Sequence, residues 1–157
     1  MSVRQATRVD LDVVVRLRLA LLLEHRGHVV YGRLRPDAAD RARVLYATQL
    51  EARGEAIFLA EQRGETVGIL RCVESHGSPL LQPSRYGYVS SVYVIPEARR
   101  RGVLRALLGA ADAWCRARGL DEMRLHNATE SVVANAAWGA LGFAPVETLR
   151  VRPVPEA

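Results

Sequence analysis

Three consecutive arginines, Arg99, Arg100 and Arg101, stand before Gly102. There a strand-like run, Tyr86 to Ile95, gives way past Pro96 to a run with helical spacing. A helix start leaves several backbone N–H groups without partners and carries a positive partial charge. Such a terminus binds phosphate readily. A glycine at the turn lets an anion approach the backbone with no Cβ in the way. Arginines add charge and planar forks that match phosphate. Cations oppose the helix dipole at this end, a conflict that a bound anion removes. The other reading is a solvated charged turn ahead of an ordinary helix.

A second group is Glu24, His25, His28 and Tyr31, a polar and aromatic cluster where a helical pattern fades near Gly27. Its acid and imidazoles do not form a complete ligand set at convincing spacing, so no metal is assigned. Arg33 and Arg35 follow, either recognising a carboxylate or phosphate on a substrate or lying solvated in a loop. The two cysteines, Cys72 and Cys115, fall in a strand-like and a helical segment and read as reduced core residues.

The elements that must position these residues follow from periodicity and punctuation. Val3 to Thr7 reads as a strand, and Asp10 as the cap of a helix with Leu11, Val14, Leu17, Leu21 and Leu22 on its buried side. Pro36-Asp37 opens a second helix, with Val44, Leu45, Ala47 and Leu50 as its stripe, ending at Gly54. Ala56 to Gln62 and Val67 to Val73 form a hairpin about Arg63-Gly64-Glu65. After a loop from Ser75 to Arg85 comes the Tyr86–Ile95 strand, then a helix from Arg99 to Arg118 closed by Gly119. Met123 to Asn127 reads as a strand, Val132 to Leu141 as a helix, and Val146 to Val151 as a final strand. The order β-α-α-β-β-β-α-β-α-β predicts an α/β protein with a mixed sheet covered by helices.

The chain of 157 residues, with 49% apolar and 25% charged residues, reads as one soluble domain over 1–157. No run approaches a membrane span, and Asp10 and Asp12 interrupt any leader-like segment; a cytoplasmic protein is expected. The net charge is +5, and all 22 basic residues are arginine, which suits a polyanionic partner. That partner is a nucleotide cofactor or a nucleic acid; the second lacks interleaved basic and aromatic residues and any reader motif, so no nucleic-acid partner is expected.

The segment Arg99 to Leu104 resembles the acetyl-coenzyme A signature of the GNAT superfamily of N-acetyltransferases, with Arg99, Gly102 and Leu104 in its three defining places. A second family element is matched by Ser131 to Phe143, ending in Gly142-Phe143 after Trp138. The resemblance implies a fold whose fourth and fifth strands splay and admit the pantetheine arm. It implies that backbone N–H groups of Arg99, Arg100, Arg101, Gly102, Val103, Leu104 and Arg105 hold the pyrophosphate of acetyl-CoA. It also implies that the strand at Val92, Tyr93 and Val94 pairs with pantetheine, that Ser131 or Asn135 bonds the cofactor, and that Trp138 lies beside it. The reaction implied is direct attack by a primary amine, of a small molecule or an amino-acid-like acceptor, on the thioester. Dimers are common among similar proteins, so a homodimer is a further expectation.

Two departures carry consequences. Leu104 replaces a small residue, yet its backbone amide is kept. Trp138 stands where the family usually has a tyrosine that protonates the departing thiolate, and indole does not serve as a proton donor. An acetyl-CoA-binding regulatory domain with little catalysis is the alternative that Trp138 favours. For catalysis, Glu74, His76 and His126 are candidate bases, Ser91 or Ser90 faces the reacting centre, and the Val92 N–H is the candidate oxyanion donor. The competing reading of each base, and the weightier one, is a surface residue. Glu24, His28, Tyr31 and Asn127 are the candidate acceptor residues; Asn127 shares strand parity with Met123 and Leu125.

Overall fold

A computed structural model describes all 157 residues. The chain falls into two compact units, Met1–Leu125 and His126–Ala157. The first unit holds β1 (Ser2–Gln5), α1 (Leu11–Glu24), α2 (Ala38–Glu51), β2 (Glu55–Gln62), β3 (Glu65–His76), β4 (Arg85–Val94), α3 (Val103–Ala117) and β5 (Met123–Leu125). The second holds α4 (Val132–Ala140).

The five strands lie in the order of the chain, antiparallel except for the parallel pair β4–β5. The β2–β3 hairpin turns at Arg63 and Gly64, both at positive φ (51° and 80°), as a two-residue turn matched to strand twist requires. Alternate residues of β3 face opposite layers. Ile69 joins Ile57, Leu59, Val14, Leu17, Ala42 and Tyr46 in the core beneath α1 and α2. On the other face Gly68 approaches Val103 and Leu107 of α3, and Cys72 meets Cys115. Gly87 on β4 makes this second approach possible: a Cβ there would stand 2.6 Å from the Cys115 sulfur.

Several sequence expectations change. The long helix begins at Val103, not Arg99, because Arg100 and Gly102 take left-handed backbone (φ 61° and 82°) that no α-helix tolerates. In α2 the buried residues are Ala42 and Tyr46, one turn apart, while Val44 and Leu45 are exposed. Strand β5 stops at Leu125 instead of Asn127. The final strand, 146–151, does not form. Its unit contains no second strand to supply ladder partners, and Val146 and Leu149 are exposed.

Candidate active site

Strand β4 carries an extra residue relative to β3. Ile69 pairs with Tyr93 and Arg71 with Ser90, so two steps of β3 span three of β4. Ser91 sits in this bulge at φ 53°, a left-handed conformation that costs a residue other than glycine about 1 kcal/mol or more. The bulge reverses the faces of the strand. Val89, before it, pairs with Cys72 of the α3 layer, whereas Tyr93, after it, packs in the α1–α2 core. Pairing with β5 ends just short of the bulge, at Val89–Leu125. From Ser90 to Val94 this edge of β4 has no β5 partner, which is the splay expected of the fold.

Nine residues past Val94, α3 starts without a side-chain cap and with no acid in its first turn. Its first intrahelical bond is from Ala106 N–H to the Gly102 carbonyl (3.0 Å). The amides of Val103, Leu104 and Arg105 therefore precede the hydrogen-bonded ladder. Left-handed residues at Arg100 and Gly102 fold the approach into the kind of turn that gathers successive N–H groups around an anion. Arg100 and Arg101 are exposed beside it. Gly102 is required by its φ: a Cβ there would meet nothing within 4 Å. Leu104 is half-buried, and its substitution leaves the backbone start intact.

Arg99 behaves differently. Its Nε donates to the Val94 carbonyl (2.7 Å), its Nη2 to Glu24 (2.5 Å), and its guanidinium stands 5.5 Å from the Tyr93 ring centre. The side chain thus braces the end of β4 against the end of α1. Beyond Glu24, His25 Nδ1 bonds the Leu21 carbonyl at 3.0 Å; facing an acceptor, this nitrogen must carry the proton. His28 Nδ1 accepts the N–H groups of Val30 and Tyr31, both at 3.0 Å, and its ring stacks on Tyr31 at 4.5 Å. Tyr31 in turn acts on the phenol of Tyr88, which burial, first, and two tyrosine neighbours push above the ordinary range.

Glu74 accepts bonds from Arg85 and from Arg118 (3.2 Å), and these arginines hold its carboxyl below the usual range. A carboxylate stabilised in this way is a weak base. Sequence reasoning did not find a polar group under α1. Arg18 is 7% exposed, donates to Gln49 and lies 3.7 Å over the Tyr46 ring. Arg71 pairs with buried Glu55 and reaches Ser90 Oγ at 3.4 Å. The signal was available: Arg18 follows Val14 by one turn on the apolar side of α1.

In the second unit Ser131 caps α4, accepting the Ala134 N–H at 3.1 Å. Asn127 Nδ2 donates to Asn135 Oδ1 (2.7 Å), and Asn135 Nδ2 to the Thr129 carbonyl (2.9 Å). The candidate acceptor and cofactor amides are therefore bonded to each other. Trp138 packs edge-on against Phe143, with centroids 5.4 Å apart. His126 Nε2 is 3.7 Å from Glu147.

Comparison with known proteins agrees with this geometry. The model of the acetyltransferase (GNAT) family matches residues 22–143. An aminoglycoside N(6')-acetyltransferase type 1 of Stenotrophomonas maltophilia is 33% identical over 150 residues, covering 93% of this chain and 88% of the relative. The corresponding protein of Salmonella typhimurium is 27% identical over 157 residues, with 94% of each chain covered. Among solved structures, an aminoglycoside 6'-N-acetyltransferase of Acinetobacter haemolyticus superposes with a TM-score of 0.79 at 20% identity, covering 100% of both chains. A further aminoglycoside N-acetyltransferase, solved with CoA, gives 0.80 at 23% identity over 98% of this chain and 93% of that one. The splayed, bulged strand feeding an uncapped helix start is thus that of a known lineage: the chain belongs to the GNAT family of acetyl-CoA-dependent N-acetyltransferases.

Proposed function

We propose that this chain acetylates the primary amine of a small molecule by direct attack on acetyl-CoA at the gap where β4 parts from β5. One observation carries the reading: a bulge at Ser91, the end of β4–β5 pairing at Val89, and the uncapped start of α3 follow one another along a single stretch of chain. The amides of Val103, Leu104 and Arg105, with the charges of Arg100 and Arg101, take the pyrophosphate. The free edge at Val92 and Val94 takes the pantetheine amides. The thioester carbonyl then lies at the bulge, where the Val92 N–H meets the developing oxyanion.

The amine nitrogen bonds to the carbonyl carbon, the C–S bond breaks, and the amine proton leaves to a base or water. A thiol has a pKa near ~8.5, so the thiolate departs without a strong acid. Tyr88 is the proposed donor to it. Its phenol keeps its proton at neutral pH, and it stands two residues before Ser90 on the same strand face. Ser91 holds the bulge. The relatives named above act, by their names, on the 6'-amine of aminoglycosides, which places the acceptor here among small-molecule amines. Two buried free thiols support a cytoplasmic setting.

Acetyl-CoA titration followed by thiol release against an amine panel tests the proposal. Binding with turnover on an amine is the expected result. Binding without turnover on any amine would instead favour a regulatory domain, and absence of binding would remove the cofactor assignment.

A further inference from the structure

Behind the bulge, under α1, the charges do not balance. Arg18 and Arg71 are close enough to repel, and the carboxylate that pairs with either is Glu55, itself 8% exposed and bonded to Arg71. Arg18 is left with a neutral amide, Gln49, and the face of Tyr46. The Nε–H of Arg71 is buried with no acceptor. Native structures leave few such groups unpaired, and a buried cation without an anion is unfavourable. Two guanidinium groups and one carboxylate leave a charge of +1, which one carboxylate neutralises and a phosphate dianion overshoots.

This group adjoins the proposed reaction centre. Arg71 pairs with Ser90 in the sheet and reaches its hydroxyl, one residue from the bulge at Ser91. The Arg71 side chain keeps 20% of its surface open and reaches the Ser90 hydroxyl, which leaves part of it accessible to an acceptor beside the bulge. A polycationic acceptor would need free carboxylates here. Glu55 is bonded to Arg71 and Glu24 to Arg99.

Building on the acetyl-transfer reading, we infer that the acceptor is an amine bearing a carboxylate, and that Arg71, backed by Arg18, binds that carboxylate. The planar fork of arginine suits a bidentate carboxylate. Amino acids and short peptides belong to this class; aminoglycosides do not.

The test is calorimetric titration of the CoA-loaded protein with glycine, L-leucine, L-phenylalanine and L-glutamate, each paired with its carboxamide, and with kanamycin. At least one amino acid should bind about tenfold or more tightly than its carboxamide, a difference of ~1.4 kcal/mol. Kanamycin should bind more weakly than that amino acid. Arg18→Met leaves no carboxylate unpaired and should fold; it should erase the discrimination while the acetyl-CoA Kd stays constant. Arg71→Lys keeps the charge but not the fork, and should reduce the discrimination. Equal binding of every acid and its amide, preference for kanamycin, or full discrimination in Arg18→Met would overturn the inference. Because acceptor binding is read directly, failure of thiol release on every amine would count against acetyl transfer and leave the carboxylate result standing.

Discussion

The Arg99 guanidinium bonds the Glu24 carboxylate at 2.5 Å and the Val94 carbonyl at 2.7 Å, so the first arginine of the signature fastens the turn before α3 to α1 and β4. Glu24→Gln removes the charge from one of these ties while keeping an acceptor oxygen. Both side chains are about two-fifths exposed (42% and 41%), and exposed pairs contribute ~0–1 kcal/mol. The expected outcome is a Tm within a few degrees of wild type, with weaker acetyl-CoA binding. Arg99→Ala also loses the Val94 bond and should bind acetyl-CoA more weakly than Glu24→Gln. Calorimetry on the three proteins checks the order; identical affinities would mean that the brace does not shape the turn.

Gly102 is a conformational requirement. Gly102→Ala meets no steric obstacle, yet it places a Cβ on a residue at φ 82°. The expected loss is about 1 kcal/mol in urea unfolding, together with at least a severalfold loss of acetyl-CoA affinity as the turn before α3 relaxes. Wild-type affinity in a destabilised variant would separate the turn from phosphate binding.

Element types were largely legible because each has a period and a stop signal. The Ser91 bulge was not: Tyr88, Ser90 and Val92 alternate like any strand, and the extra residue exists only in the register with β3. The true start of α3 was hidden because Arg99 to Arg101 carry no steric bar to a helix; the left-handed Arg100 and Gly102 set it. Glu74 was legible as an acid at a strand end, while its partners Arg85 and Arg118 come from elsewhere in the sequence. Val146 to Val151 has strand composition, but a strand needs a partner that composition does not supply.

Gly87→Ala tests how α3 seats on the sheet. Its Cβ would stand 2.6 Å from the Cys115 sulfur and 3.3 Å from that of Cys72, so α3 must shift. Overpacking of this kind costs ~1–3 kcal/mol. Cys115→Ala makes room, so the double variant should be more stable than the sum of the two singles requires, by ~0.5 kcal/mol or more. Strict additivity in urea unfolding would refute this packing. Native Cys115 and Cys72 should also react slowly with a thiol reagent, since burial, first, pushes both thiols up.

Asp10 ties β1 to the start of α1. Arg4 donates two bonds to it, at 2.9 and 2.8 Å, and the Thr7 N–H a third at 2.8 Å. Arg4, chiefly, holds this carboxyl below its ordinary value of 3.8 against the opposing effect of burial. The unfolded chain therefore binds the proton first, and the stabilisation is complete above the unfolded pKa and is lost as pH falls through the folded one. Glu74, lowered by Arg85 and then Arg118, acts in the same direction. Urea midpoints should be flat near neutrality and fall below about pH 4.5. Asp10→Asn should be less stable at pH 7 and lose less on acidification. An unchanged acid slope would mean that Arg4 does not favour the ionised form.

Trp138 stands where the family resemblance has a proton-donating tyrosine. Its ring rests edge-on against Phe143, an apolar contact that tyrosine can largely keep. Trp138→Tyr should leave the acetyl-CoA Kd unchanged and add a phenol that can give a proton. General acid catalysis is typically worth ~10²–10⁴-fold. The thiolate is already a tolerable leaving group, so a rise in kcat of about tenfold or less is expected, fading as pH approaches the phenol pKa near ~10. Tyr88→Phe supplies the complementary measurement. If Tyr88 protonates the thiolate, its loss should lower kcat at constant acetyl-CoA affinity. A Tyr88→Phe enzyme with wild-type kcat across the pH range would remove Tyr88 from that role and assign the proton to water.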